Sequence, residues 1–563
     1  MKSRITLLVP AVLLWLFLAK WHTVSAQVLH QSSPNAYEWR GCMIDVSRHF
    51  FGVDVLKKQI DILSYYGINR LHLHLTDAGG WRFVLSGYPR LTELSAWRTE
   101  SDWDKWWGEG DRRYLPEGTP GAYGGYYTEA ELKALIAYAN ERGIMIVPEV
   151  EIPGHSEEVM AAYPELKCVG NDGAQADFCA SNPACYKFID HLIDEVVRIF
   201  PSDYIHIGGD EAGKTHWRTC SRCREMASRL GLKSTDELQD HIVSYAMRRV
   251  TAHGRKPVCW DDALCDSLPD GSIVMVWRDV KQVQRALEKG YDVIFSPSQY
   301  CYLDYAQDAP QSQPRSFGGY LPLKRVWEME LPKGILGVQG NLWTEYVATP
   351  QHLEYMLYPR MLAIAEVGRL GDKRPPYEVF RAWALEQTEH LRRNNVNTFD
   401  LKHEQGDRPE TLQPVVHKAS GAKVIYHKPF YPSYNAGGEQ ALVDGLRGNW
   451  QHGDGRWQGF LGENCLDLTL DLGKTSTLQS IGMDFLQADV AGIYLPKELC
   501  IMASTDGKNF VEIFRKEHPK EPRTISFIEH WRWEGKVKAR YLRIIGKAGS
   551  RGEWIFTDEI VVR

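Results

Sequence analysis

No basic block runs through this sequence. Its 66 Lys and Arg are outnumbered by 72 Asp and Glu, for a formal net charge of −6. That balance argues against nucleic acid or an acidic membrane as the main partner. Cysteine is sparse and odd in number, 11 in 563 residues, so a dense disulfide framework is excluded. Cys220 and Cys223 form a lone CxxC. A zinc site needs a second pair, and none follows at a suitable spacing. A local disulfide or plain loop thiols are the readings left, and Cys168, Cys179 and Cys185 are near enough in sequence to pair as well. No long apolar run follows the first one, "ITLLVPAVLLWLFLA". With Lys2 and Arg4 before that run and "VSA" ending at Ala26 after it, residues 1–26 read as an export signal. A membrane anchor is the alternative, though the run is short for a span. The mature chain is then expected to be exported, to the periplasm, the cell surface or the medium, and to lack a membrane span.

What the chain has in quantity is aromatic surface. Its 19 Trp and 27 Tyr exceed what a core needs, which points to a ring-lined binding site. From about residue 40, short apolar runs alternate with helical patterns. The runs are "CMIDVS", "RLHLHLTD", "IMIVPEVEI", "YIHIGGDE", "KPVCWDD", "IVMVW", "DVIFSPS" and "ILGVQGNLW". Thr128 and Glu131 have capping-box spacing, and Gly143 stands where that helix would stop. Eight such alternations predict a (β/α)8 barrel over 27–400, with an open doubly wound sheet as the alternative. Two observations favour the barrel. Polar side chains cluster where strands end, at Asp77, Glu151 to His155, Asp210-Glu211, Trp260-Asp261, Trp277 and Trp343 to Glu345. No Gly-rich phosphate fingerprint follows the first strand. After a linker at 401–420, short alternating runs and turn signals predict an antiparallel β-sandwich over 421–563. No barrel motif lies in it.

The ordered set "RGCMIDVSRHF", "HLHLTD", "VPEVEIPGHS", "HIGGDE", "YLDY" and "NLWTE" resembles the family 20 glycoside hydrolases, the β-N-acetylhexosaminidases. The adjacent carboxylates of "HIGGDE" make chemical sense in such a protein. In substrate-assisted hydrolysis the sugar's own 2-acetamido oxygen is the nucleophile, so neither protein carboxylate needs to be. The resemblance implies that Glu211 is the general acid and then the base, and that Asp210 orients the acetamido group. Tyr302 would donate to its oxygen, and His155 with Asp77 would support the acid. Trp260, Trp277 and Trp343 would wall the sugar. Asp304, and Arg40 paired with Glu345, would hold its hydroxyls. One departure stands out: the family pattern "HLTDDQGWR" is "HLTDAGGWR" here, with Ala78 and Gly79, which bears on the rim of the site and the leaving group. "LVDGLRGNWQ" and "ASTDGKNF" resemble the discoidin-like domains of coagulation factor 5/8 type C. That likeness implies carbohydrate binding and a structural calcium, with Asp444 and Glu559 as candidate ligands. No cofactor is implied for catalysis. The activity implied is exo-hydrolysis of terminal β-linked GlcNAc or GalNAc from glycans. The alternatives are an inactive carbohydrate-binding protein, or a hydrolase releasing a disaccharide or a sulfated GlcNAc.

Overall fold

The computed structural model describes residues 35–108, 110–170, 175–462, 465–519 and 526–563. The expected export signal lies outside them. Among the described residues no helix is long and apolar enough to cross a membrane.

Eight parallel strands close into a barrel: β1 (Trp39–Asp45), β2 (Arg70–His74), β3 (Met145–Glu149), β4 (Tyr204–His206), β5 (Lys256–Trp260), β6 (Ile273–Val276), β7 (Asp292–Phe295) and β8 (Gly337–Leu342). Each falls on one of the eight apolar runs. β1 pairs with both β2 and β8, and this closes the ring. Helices pack outside, so the strands are covered on both faces, and β1 is buried at every residue. The helix after β2, α1 (Glu129–Asn140), starts at the capping box read from the sequence: the Thr128 hydroxyl accepts from the Glu131 N–H at 3.2 Å, and the Glu131 carboxylate accepts from the Thr128 N–H at 2.8 Å. Gly143, with φ +72°, lets the chain turn out of that helix. Inside the ring Val147, Val258, Ile273 and Ile294 join one apolar cluster. Polar side chains share the interior. There Gln339 donates to His72 (3.0 Å) and Asn341 donates to Ser296 (2.6 Å).

The chain divides into two compact units. The first runs to Leu303 and resumes at Leu323–Lys402; the second joins Asp304–Pro322 to His403–Arg563. The second is a seven-stranded antiparallel sheet of β9 (Lys423–Tyr426), β10 (Gln458–Leu461), β11 (Leu466–Gln487), β12 (Glu498–Ser504), β13 (Val511–Glu517), β14 (Phe527–Lys547) and β15 (Trp554–Val562). β11 and β14 are long, and their register shifts near Asp471–Ser476 and Leu478–Ser480. Bulges there let both halves of β11 face one core. Leu466, Leu468 and Leu470 pack with Ile481, Met483 and Phe485.

Of the stretch 401–420, expected as a linker, residues 403–420 are built into this second unit. Val415 donates to the Gly445 carbonyl and Lys418 to that of Val562, while Arg408 bridges the buried Asp484 and Asp558. The segment 304–322 belongs there too: Asp308 accepts from the Gln405 and Gly406 N–H groups at 2.8 Å each, and the Tyr320 hydroxyl donates to Asp407 at 3.1 Å.

Candidate active site

The strand ends deliver their polar residues to one place. After β4 the chain turns through Gly208 (φ +65°) and Gly209 (φ +98°) into Asp210 and Glu211. A Cβ at Gly208 would overlap the Glu151 carboxyl, so only glycine fits. Glu211 itself holds φ +44° and His155 +48°. Left-handed backbone at two non-glycine residues is strain retained where positioning matters. The result is two unlike neighbours: the Asp210 side chain is 11% exposed and that of Glu211 58%.

His155 sits between the acids and Asp77. Its Nδ1 is 3.1 Å from Asp77, and its Nε2 lies 3.5 Å from Asp210 and 3.6 Å from Glu211. The last two exceed a formed hydrogen bond, a looseness that substrate binding tightens in such sites. Burial alone would lower the His155 pKa. Asp77 and Asp210 outweigh it and hold the imidazole well above its ordinary value, so it is cationic at neutral pH. Burial would likewise raise Asp77, but Arg48 and His155 keep it far below the usual carboxylate range.

Arg40 does not join this cluster. It stands at the beginning of β1, at the opposite end of the barrel, where its guanidinium donates to the carbonyls of Gly67 (2.7 Å) and Tyr37 (2.8 Å). The arginine at the site is Arg48, three residues past the end of β1. It lies 2.6 Å from Asp77, 3.2 Å from Asp45 and 3.9 Å from Glu345, and packs 4.9 Å from the centre of the Trp343 ring. Burial raises the Glu345 pKa; Arg48 opposes that. The signal that identifies Arg48 is its position: barrel chemistry gathers where strands end, not where they start.

Rings form an arc across the same end. Trp260 is fully buried, with Nε1 donating to Glu149 at 2.7 Å. Its ring centre lies 6.0 Å from that of Trp343, which lies 6.1 Å from that of Tyr302; Tyr302 stacks on Trp277 at 6.0 Å. Asp262, which the sequence reading left out, fixes Trp277 by accepting from its Nε1 at 2.8 Å. Asp304 opens the segment that belongs to the second unit, where its carbonyl accepts from Phe317 at 3.1 Å.

The calcium candidates already hold protein partners. Both oxygens of Glu559 are committed, one 2.7 Å from His417 and the other accepting from the Gly445 N–H at 2.9 Å. Asp444 closes its own turn by accepting from Leu446 at 2.8 Å.

Fold and site together define a (β/α)8-barrel protein whose strand ends carry an acid pair, a supporting histidine and a wall of aromatic rings. The model of the glycosyl hydrolase family 20 catalytic domain matches residues 37–368, and that of the F5/8 type C domain matches 426–560. The chain belongs to glycosyl hydrolase family 20. It is 39% identical over 350 residues to the beta-hexosaminidase of Porphyromonas gingivalis (59% of this chain, 43% of that one) and 35% identical over 353 residues to that of Vibrio furnissii (59% and 56%). It thus spans about half the length of these curated relatives. Among solved structures, it resembles the family 20 exo-β-N-acetylglucosaminidase of Vibrio harveyi, solved with N-acetylglucosamine, at 29% identity and a TM-score of 0.59, covering 66% of this chain and 60% of that one.

Proposed function

We propose that the chain is an exo-acting, retaining β-N-acetylhexosaminidase that removes terminal β-linked GlcNAc or GalNAc from glycans by substrate-assisted catalysis. One observation carries the reading. Asp210 is buried, and its Oδ1 has no hydrogen-bond partner among the described residues, while the acid beside it is open to solvent. A buried carboxylate oxygen without a donor is costly unless a ligand supplies one, and the N–H of a 2-acetamido group is such a donor.

In this mechanism Asp210 takes that N–H, and Tyr302 donates to the acetamido oxygen and aligns it. The oxygen attacks C1 as Glu211 gives its proton to the departing glycosidic oxygen. A water then attacks C1 and Glu211 takes its proton. The ring of the oxazolinium intermediate reopens, and two displacements leave the β configuration intact. Cationic His155, anchored by Asp77, stabilises the ionised Glu211 between the two steps. Trp260, Trp277 and Trp343 box the acetamido methyl and the sugar face. Arg48, in place of Arg40, works with Glu345 on the ring hydroxyls, and Asp304 is assigned the same task. No cofactor takes part. Lys2, Arg4, the apolar run and Ala26 support export.

The test is a pair of chromogenic β-glycosides differing only at C2. The 2-acetamido sugar should be hydrolysed, with β product first seen by proton NMR; the 2-hydroxy sugar should be almost inert. Equal turnover of both, or an α product, would sink the mechanism. Binding without turnover would establish the inactive carbohydrate-binding reading instead. A reading toward larger or sulfated substrates has its own support. At the altered "TDAGG" segment the Tyr114 hydroxyl donates to the Ala78 carbonyl at 2.6 Å. Tyr114 also helps line a groove of about 630 Å³ with Trp107, Arg112, Arg113 and Lys167. Rate gains on sulfated or extended substrates over the simple glycoside would favour it.

A further inference from the structure

Four cysteines distant in the sequence meet in the barrel unit. Cys168 and Cys179 lie in the excursion after β3, beyond His155; Cys220 and Cys223 lie in the excursion after β4, beyond Glu211. All four are buried, and their sulfurs lie within 4.8 Å of one another. Cys223 Sγ is 4.0 Å from that of Cys168 and 3.7 Å from that of Cys179. The second pair that the lone CxxC lacked in sequence is supplied by a different loop.

We propose that these four thiolates hold one structural zinc ion. Zinc–sulfur bonds of about 2.3 Å at tetrahedral angles place the sulfurs about 3.8 Å apart, which is the spacing around Cys223. A pair of disulfides needs each sulfur to have one near partner, whereas Cys223 has two at similar distance. A ligand set of sulfur alone favours a soft or borderline ion over calcium or magnesium, and four buried protein ligands leave no open position for chemistry. Binding converts four thiols to thiolates, releasing four protons and leaving a centre of charge −2. The surroundings suit that charge. The Ser181 hydroxyl is 3.4 Å from Cys179 Sγ and 3.3 Å from Cys223 Sγ, placed to donate to either. A nine-residue helix, Ser221–Arg229, begins directly after Cys220 with its positive end toward the cluster.

The site joins two loops that the active site needs in register. The Asp177 carboxylate, two residues before Cys179, accepts from the N–H groups of Gly213 (2.9 Å) and Lys214 (3.0 Å), just past Glu211. Trp217 Nε1 donates to the Phe178 carbonyl at 2.9 Å. A zinc at the end of this ladder fixes His155 relative to Asp210 and Glu211 from behind.

The experiment is metal analysis of the full-length chain, purified without a polyhistidine tag, by plasma mass spectrometry. The expected content is about one zinc per chain, lost in Cys223→Ser and in Cys168→Ser. Cobalt substitution should add a thiolate-to-metal charge-transfer band and the strong visible bands of tetrahedral coordination. Should the variants fail to fold, the wild-type zinc content and cobalt spectrum still decide. Zinc at background, an intact mass under non-reducing conditions lowered by the hydrogens of two disulfides among these cysteines, or full zinc retention in both variants would overturn the site.

Discussion

Two pairs of carboxylates lie within a few ångströms of the same strand ends and behave in opposite ways. Glu149 and Glu151 are separated by one residue. That spacing keeps both on one face of an extended chain, here the face turned into the barrel. Glu149 accepts from Trp260 and makes a short contact with His74, and ring nitrogens of His72 and His206 lie 3.1 Å and 3.0 Å away. Burial would raise its pKa, but these histidines hold it well below the carboxylate range. Burial, Asp210 and Glu149 together push the Glu151 pKa well above that range. Asp210 and Glu211 are adjacent instead, on a loop with left-handed backbone, and their side chains diverge into unlike environments. Acids spaced to share a face are packed inside; acids set side by side reach the candidate site.

The sharpest break of this comparison is Glu211→Gln. Loss of a general acid costs about 10²–10⁴ in rate, and kcat/KM on natural glycans should fall by that much while the thermal midpoint stays put. The loss should shrink on substrates with very acidic leaving groups. A variant that unfolds would instead put Glu211 with the packing pair. Glu149→Ala should do the reverse. It leaves Trp260 and the histidines without their acceptor, a loss of about 3–5 kcal/mol of stability readable in urea unfolding. Full stability with lost turnover would mean the inner pair belongs to the chemistry. Next in size come the two arginines. Arg48→Lys removes a planar fork near Asp77 and Glu345 and should raise KM by about 10- to 100-fold, in line with about 1.5–3 kcal/mol for hydrogen bonds to charged groups. Arg40→Lys should leave KM unchanged and lower only stability.

Glu151→Gln should have the smallest effect at and below the ordinary carboxylate pKa, where the amide imitates a carboxyl protonated in both the folded and the unfolded chain. Its signature lies in pH. A carboxyl whose folded-state pKa is raised contributes stability that is full below its ordinary value and drains as pH rises through the raised one. As pH rises from the ordinary carboxylate value the wild type should therefore lose stability more steeply than Glu151→Gln, leaving the variant the more stable at neutrality. Parallel curves would mean that Glu151 is ionised in the fold.

The barrel was legible because its signals are local. Each strand is a short apolar run, each ends in its own polar residues, and neighbours in sequence are neighbours in the ring. The candidate site was legible for the same reason at Asp77, His155, Asp210, Glu211, Tyr302 and the three tryptophans. What escaped depends on longer connections. Arg40 and Arg48 lie in one motif, and only the placement of β1, which has Arg40 near its start and ends before Arg48, shows which one reaches the site. The cysteine quartet spans two loops. The stretch 401–420 has turn-rich composition, yet Arg408 in it is committed to Asp484 and Asp558, residues that pattern analysis cannot connect to it.

The excursion at 304–322 has an evolutionary consequence. The F5/8 type C match covers 426–560, which on its face is a cassette that recombination could append to or strip from the end of a gene. The unit it belongs to also contains 403–425 and a barrel loop that leaves at Leu303 and returns at Leu323. A gene cut at residue 402 would strand that loop without the Gln405, Gly406 and Asp407 partners of Asp308 and Tyr320, one residue on from Tyr302. Removing the matched domain would therefore disturb a loop of the barrel as well, so the two parts are not separable at residue 402.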